Sequence, residues 1–294
     1  MNAKITINLI RQLSGHRQGL YGLAGKDHGS FYSCGGDGLL VQWWPLESDQ
    51  GKLIANLDEP VYSMAFDTGI GVLCGTQSGI LVVLDPDFNA RKLEKHKGGI
   101  FHISVLENEN FITCGGDGKV VLWNKQLEIL QEKQLSQKSI RCAVHIDNGW
   151  AFGSSDSDIY ITDSEFRVRQ ILRGHKESVF ALEYVNGKLI SGGRDALIHI
   201  WDIPEGRQEL PVQAHWFHVN DLKLNAENSI LASASMDKTI KLWYAGNLEL
   251  MKVLNSEKYG IHKSSVNRLL WLNETVLISA SDDREIGVWE IKLE

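Results

Sequence analysis

Histidine, serine and aspartate are the side chains of nucleophilic acyl transfer, and this 294-residue chain repeats them in order at near-constant offsets. The sets are His16, Ser33, Asp37; His96, Thr113, Asp117; His175, Ser191, Asp195; His215, Ser233, Asp237; and His262, Ser279, Asp283. Each histidine precedes its aspartate by 20 to 22 residues, and a tryptophan follows the aspartate by six: Trp43, Trp123, Trp201, Trp243 and Trp289. A hydroxyl beside an imidazole that a carboxylate orients would be an activated nucleophile. An enzyme needs that arrangement once, however, and five copies ending in tryptophan point to a structural role. A buried indole N–H, hydroxyl and carboxylate each need a partner, because an unsatisfied one costs about 1–3 kcal/mol. A chain of such groups satisfies all of them and holds the surrounding backbone in one geometry.

The spacing also dictates the elements that must carry these side chains. Two weaker copies, Ser78–Leu84 and Asp156–Thr162 followed by Asp163, fill the gaps between the five. The last members of the seven pairs fall at 43, 84, 123, 162, 201, 243 and 289, so the spacings are 41, 39, 39, 39, 42 and 46 residues. A period of roughly 40–45 residues is that of a propeller, with one four-stranded sheet per repeat. The fifth repeat shows the strands most clearly. Arg169–His175 ends a strand and turns, Val179–Tyr184 is a second apolar run, Asn186-Gly187 a hairpin turn, Lys188–Gly192 a third strand, and Ala196–Ile203 a fourth.

Gly174-His175, Ser191, Asp195 and Trp201-Asp202 together resemble a WD40 repeat, and five of the seven repeats carry all four positions. The resemblance covers the whole chain and implies that histidine, hydroxyl, aspartate and tryptophan form one hydrogen-bonded chain per blade. The expected fold is all-β: a seven-bladed β-propeller of four-stranded antiparallel sheets, forming one domain over residues 1–294. Only Glu290–Glu294 follow Trp289, too few for a last outer strand. Ile5–Leu13 precedes Ser14-Gly15-His16 as Val168–Leu172 precedes Arg173-Gly174-His175, so residues 5–13 are expected to complete the last blade. That arrangement removes a free sheet edge.

Net charge is −7 and no basic run exceeds a few residues, which counts against nucleic acid as a partner. The N-terminal segment has no continuous apolar core, and no stretch approaches about 18 apolar residues, so no membrane association is expected. Cys34 and Cys114 hold equivalent places in non-adjacent repeats and should lie too far apart to bridge; buried thiols in a reducing cytoplasm fit better. Glycine-rich phosphate loops and Cys-x-x-Cys pairs are missing. Outside the tetrads, His28, His102, His145, His199 and His218 are scattered without ligand spacing, and His199 reads as a half-buried packing residue. No catalytic residue, metal or cofactor is expected.

Blades two and four depart from the pattern. In blade two the histidine position falls near Leu57-Asp58, with Cys74, Ser78 and Leu84 at the other three places. In blade four it falls near Gln137, with Phe152 for the serine and Thr162 for the tryptophan, while Asp156 persists. The residue after the first apolar position of each inner strand reads Tyr21, Tyr62, Phe101, Arg141, Phe180, Asn220 and Asn267. With Arg194 before its aspartate, and Trp216 and His218 after His215, these form the expected partner-binding face. Aromatics and arginine are the types enriched at interface hot spots. The function expected is a non-catalytic scaffold that takes a protein or peptide, with acidic side chains for the arginines to pair with, as a monomeric subunit of a larger assembly. The alternatives are a small-molecule binder or enzyme using the channel mouth, or a subunit of a nucleic-acid-associated complex.

Overall fold

The structure is a computed structural model that describes residues 5–106 and 109–293. By compactness the chain divides into two units, Met1–Asp58 with Asn220–Glu294, and Glu59–Val219. The first unit holds three antiparallel sheets and the second holds four.

In the first unit, Ile5–Ser14 pairs with the C-terminal strand Glu285–Leu293, followed by Val276–Ser281 and Val266–Trp271. The N-terminal strand therefore supplies the outer strand of the last blade, in a register that runs from Ile5 opposite Leu293 to Ser14 opposite Glu285. The other two sheets are blade one, Leu20–Gly25 through Lys52–Asn56, and blade six, Val219–Leu224 through Leu250–Leu254. Blades two to five fill the second unit, beginning at Val61–Asp67, Ile100–Val105, Ile140–Ile146 and Val179–Val185.

Burial follows strand rank within each sheet. The second strand is wholly buried in most blades, as in Gly71–Thr76, Gly149–Ser154 and Ile230–Ser235, and so reads as a continuous apolar or small-residue run. The outer strand, such as Ile129–Gln134, is mostly exposed and polar. Turn chemistry matches: Asn186 and Gly187 both take positive φ, 51° and 78°, as the two-residue hairpin turn requires. Blade five departs from four plain strands. Its outer strand is split into Arg207–Gln208 and Val212–Gln213, which both pair with Leu197–Asp202. Pro211 lies in the break, where its missing N–H removes a ladder bond, and Leu210 bulges out almost fully exposed. All four cysteines are free and buried. Burial pushes the Cys74 thiol up to about 12, so it stays protonated. No helix among the described residues is long and apolar enough to cross a membrane.

Candidate functional site

The polar chains form as the residue types require. In blade one the Trp43 indole N–H donates to Ser33 Oγ at 2.7 Å, Ser33 Oγ meets His16 Nε2 at 2.8 Å, and His16 Nδ1 lies 3.1 Å from Asp37. Asp37 also accepts the Arg17 amide at 2.8 Å. Blade three repeats this with Trp123, Thr113, His96 and Asp117, and blade five with Trp201, Ser191, His175 and Asp195. In blade six Trp243 donates to Ser233 at 2.9 Å. Burial alone would raise the Asp37 and Asp117 carboxyls, but the hydrogen bonds and imidazoles reverse this and hold both below the usual range. Burial also lowers His16 and His96, against the pull of their aspartates. A hydroxyl such as Ser191 Oγ is fully buried and holds an indole N–H, so no substrate carbonyl can reach it.

Blade seven is looser. His262 Nδ1 stands 3.7 Å from Asp283 and has no hydrogen-bond partner, and the His262 backbone sits at φ 64°. The long insertion ahead of it folds as a single helical turn, Ser256–Tyr259, capped by Asn255 and closed by Gly260. Blade four rebuilds the motif. The Asp156 carboxylate is held by Ser136 rather than by the neighbouring Gln137, and by the Tyr160 hydroxyl at 2.7 Å. The place of the missing tryptophan is taken by rings: Trp150 stacks on Phe152 at 5.9 Å, and Phe166 meets Phe152 edge-on at 5.7 Å.

The residues expected from sequence to bind a partner share a backbone feature within their own blades. The inner strands slip register between Leu20 and Gly22, Val61 and Ser63, Ile100 and His102, Ile140 and Cys142, Val179 and Ala181, and Val266 and Arg268. The extra residues are Tyr21, Tyr62, Phe101, Arg141, Phe180 and Asn267. A β-bulge sets its extra residue outside the register of the ladder and re-aims its side chain, which is how these positions come to differ from the strand around them.

Within residues 59–219 the bulge residues meet in a row. Tyr62 stacks on Phe101 with centroids 5.7 Å apart and planes at 7°. The Arg141 guanidinium lies 3.8 Å over the Phe101 ring and 5.1 Å from that of Phe180. Phe180 meets His218 edge-on at 6.0 Å. Arg194 flanks the row and pairs with Glu177 at 3.1 Å. Burial and then the Arg194 charge lower His218, against Glu177. Trp216 is 86% exposed beside half-exposed Phe217.

The first unit looks different. Asn220 donates to Ser265 Oγ and the Val266 carbonyl, and Asn267 donates to the Leu20 carbonyl and Asp282. Both amides thus fasten one sheet to the next. Tyr21 stays half-buried, and a Cβ on Gly19 would come within 3.1 Å of its hydroxyl and 2.6 Å of Asp282.

His199 is a correction. It is fully buried rather than half-buried, wedged between the His175 ring at 3.9 Å and the Trp201 ring at 5.4 Å. Burial, and then the His175 charge, lower it to about 4. The signal was present: His199 and Tyr160 stand four residues after Asp195 and Asp156, on the strand that faces each aspartate.

A family model for the WD domain, G-beta repeat, matches residues 7–43, 89–124, 166–202 and 207–244, half of the chain in all. The chain belongs to the WD40-repeat family. Each matched segment ends on or just after a tetrad tryptophan: Trp43, Trp123, Trp201 or Trp243. The crystal structure of the WD40 beta propeller domain of Doa1 superposes with a TM-score of 0.88 at 20% identity, over 98% of this chain and 97% of that one. The fold is a seven-bladed β-propeller whose last blade takes the N-terminal strand. Propellers of this WD40 family generally mediate contacts between proteins and typically lack catalytic activity. Among curated relatives, nuclear distribution protein nudF of Aspergillus niger is 33% identical over 129 residues, 42% of this chain and 28% of that protein. A ribosome biogenesis protein WDR12 homologue of Drosophila persimilis is 22% identical over 261 residues, 86% of this chain and 52% of that protein. The chain thus spans about half the length of these relatives or less.

Proposed function

We propose that this WD40 propeller is a non-catalytic scaffold that holds an acidic peptide segment of a partner protein across the row Tyr62, Phe101, Arg141, Phe180 and His218. The observation that carries this reading is the guanidinium of Arg141 seated between two phenyl rings. A cation held over aromatic faces is oriented in advance, so a partner carboxylate meets a donor fork that loses little freedom on binding. Trp216 adds a large exposed ring of the kind that anchors interfaces. Arg194 contributes less charge than its type suggests, since Glu177 already answers it. Tyr21, Asn220 and Asn267 hold the equivalent positions in the first unit, Asn220 and Asn267 with amides already engaged. The relatives' names speak of nuclear distribution in one case and ribosome biogenesis in the other, so the reading rests on the surface and not on either name.

The test is quantitative affinity capture from source lysate with wild type, Arg141→Glu and the same charge change on the exposed outer strand, Lys133→Glu. A protein retained by wild type and Lys133→Glu but lost by folded Arg141→Glu supports the face. Identical captures from all three would refute it.

A further inference from the structure

Blade five carries one group more than its polar chain needs. His175, Asp195 and His199 bring two imidazoles and a carboxylate together, with one ligand atom from each all lying within 4.8 Å of one another. We propose that this cluster is a binding site for a divalent transition metal of the zinc class, taken by His175 Nδ1, Asp195 Oδ2 and His199 Nε2.

Two imidazoles and one carboxylate are a zinc-type donor set, whereas magnesium and calcium select oxygen ligands. With bonds of about 2.0–2.1 Å, ligand atoms around a tetrahedral ion lie about 3.3 Å apart. His175 Nδ1 stands 3.0 Å from Asp195 Oδ2, and His199 Nε2 stands 3.9 Å from the same oxygen. The first of these has to open and the second to close by only a fraction of an ångström, and the two imidazole nitrogens lie within 4.8 Å of each other.

His199 Nε2 supplies the second indication. Its side chain is 1% exposed, the nitrogen points toward Asp195, and it has no hydrogen-bond partner. A buried polar atom without a partner is disfavoured, and a bound ion relieves it. The opposite nitrogen, Nδ1, contacts the Gln208 side-chain amide. With that amide turned so that Oε1 accepts the Nδ1 proton, the Nε2 lone pair faces Asp195; an outer partner of this kind orients a metal-binding histidine. His175 keeps its second anchor as well, because Nε2–H can donate to Ser191 Oγ while that oxygen still accepts from Trp201. Asp195 sits in the turn beside exposed Arg194 and keeps 6% of its own side chain exposed.

The other blades act as internal controls. Four residues after the aspartate, blade one has Val41, blade three Val121, blade six Lys241 and blade seven Gly287. Blade four has Tyr160, whose hydroxyl reaches Asp156, so this position does address the aspartate. Only blade five fills it with a ligand.

The experiment incubates the full chain with zinc chloride, removes loose ion by gel filtration and counts bound zinc by mass spectrometry. Wild type is expected to retain one zinc per chain and to melt higher with zinc than without. His199→Val, which installs the residue of blades one and three, should retain none and show no such rise. Gln208→Leu changes an exposed residue outside the core and should weaken binding roughly 10–100-fold; it carries the test if His199→Val does not fold. Wild type without retained zinc, or a His199→Val or Gln208→Leu protein that binds as tightly as wild type, would overturn the site.

Discussion

Blades four and five are neighbours in sequence, yet they solve one problem in two ways. Blade five closes on a chain of hydrogen bonds from Trp201 through Ser191 and His175 to Asp195. Blade four closes on ring packing among Trp150, Phe152 and Phe166, and keeps only the aspartate of the chain. Asp156 survives because its job is local. It accepts the Asp158 amide within its own turn, while Ser136 and Tyr160 stand in for the lost histidine. The difference shows that the aspartate shapes the turn and the partners around it are exchangeable. With Thr162 at the tryptophan position, no indole N–H stands there to satisfy, and the serine and histidine of the chain lose their purpose.

The sharpest way to break the comparison is Trp201→Ala. It empties a buried aromatic site and leaves Ser191 without its donor, so a loss of about 3–5 kcal/mol is expected from urea unfolding. A loss below about 1 kcal/mol would mean that the polar chain does not hold blade five.

Acid should divide the blades next. Burial raises the Asp283 carboxyl, but His262, Ser281 and the Lys263 amide outweigh that and bring it to about 2. An unfolded aspartate titrates near ~3.9. The ionised group therefore stabilises the fold fully above about pH 4, and that contribution, on the order of 2 kcal/mol, is lost as pH falls toward 2. His16 and His96 act at higher pH. Their folded values lie below the ordinary 6.5, so stability starts to decline as pH drops beneath that value and continues through the folded pKa. Urea midpoints measured against pH should fall in two stages, and Asp283→Asn should flatten the lower one.

Tyr160→Phe is a finer probe of blade four. It deletes one donor to Asp156 and should cost about 1–2 kcal/mol, measured the same way. No change would show that Ser136 and the Asp158 amide hold the carboxylate without it. Arg141→Glu should be smallest in stability, within about 1 kcal/mol, because the residue is half-buried at a bulge. Its effect belongs to partner capture instead.

Much of the molecule was legible from spacing. A tryptophan six residues after an aspartate, seven times over with substitutions, settled the number of blades. The match of Ile5–Leu13 ahead of Ser14-Gly15-His16 to Val168–Leu172 ahead of Arg173-Gly174-His175 located the strand that completes the last blade. Periodic signals survive in sequence because each blade solves the same packing problem with the same residue types. The position following the first inner-strand residue was also readable, but its meaning was not. That Phe101 and Phe180 both lie against Arg141 depends on how adjacent sheets splay, and no linear pattern encodes that angle.

His199 shows the limit most clearly. As a letter in Leu-Ile-His-Ile-Trp it reads as strand packing, and His175 had already been assigned to its tetrad. Sequence alone determined which hydrogen bonds each blade must satisfy, since those follow from residue type and burial. Only the tertiary structure decided which side chains from separate strands converge, because a strand's pleat and a turn's exit angle place His199 over His175 at 3.9 Å while the two stand 24 positions apart.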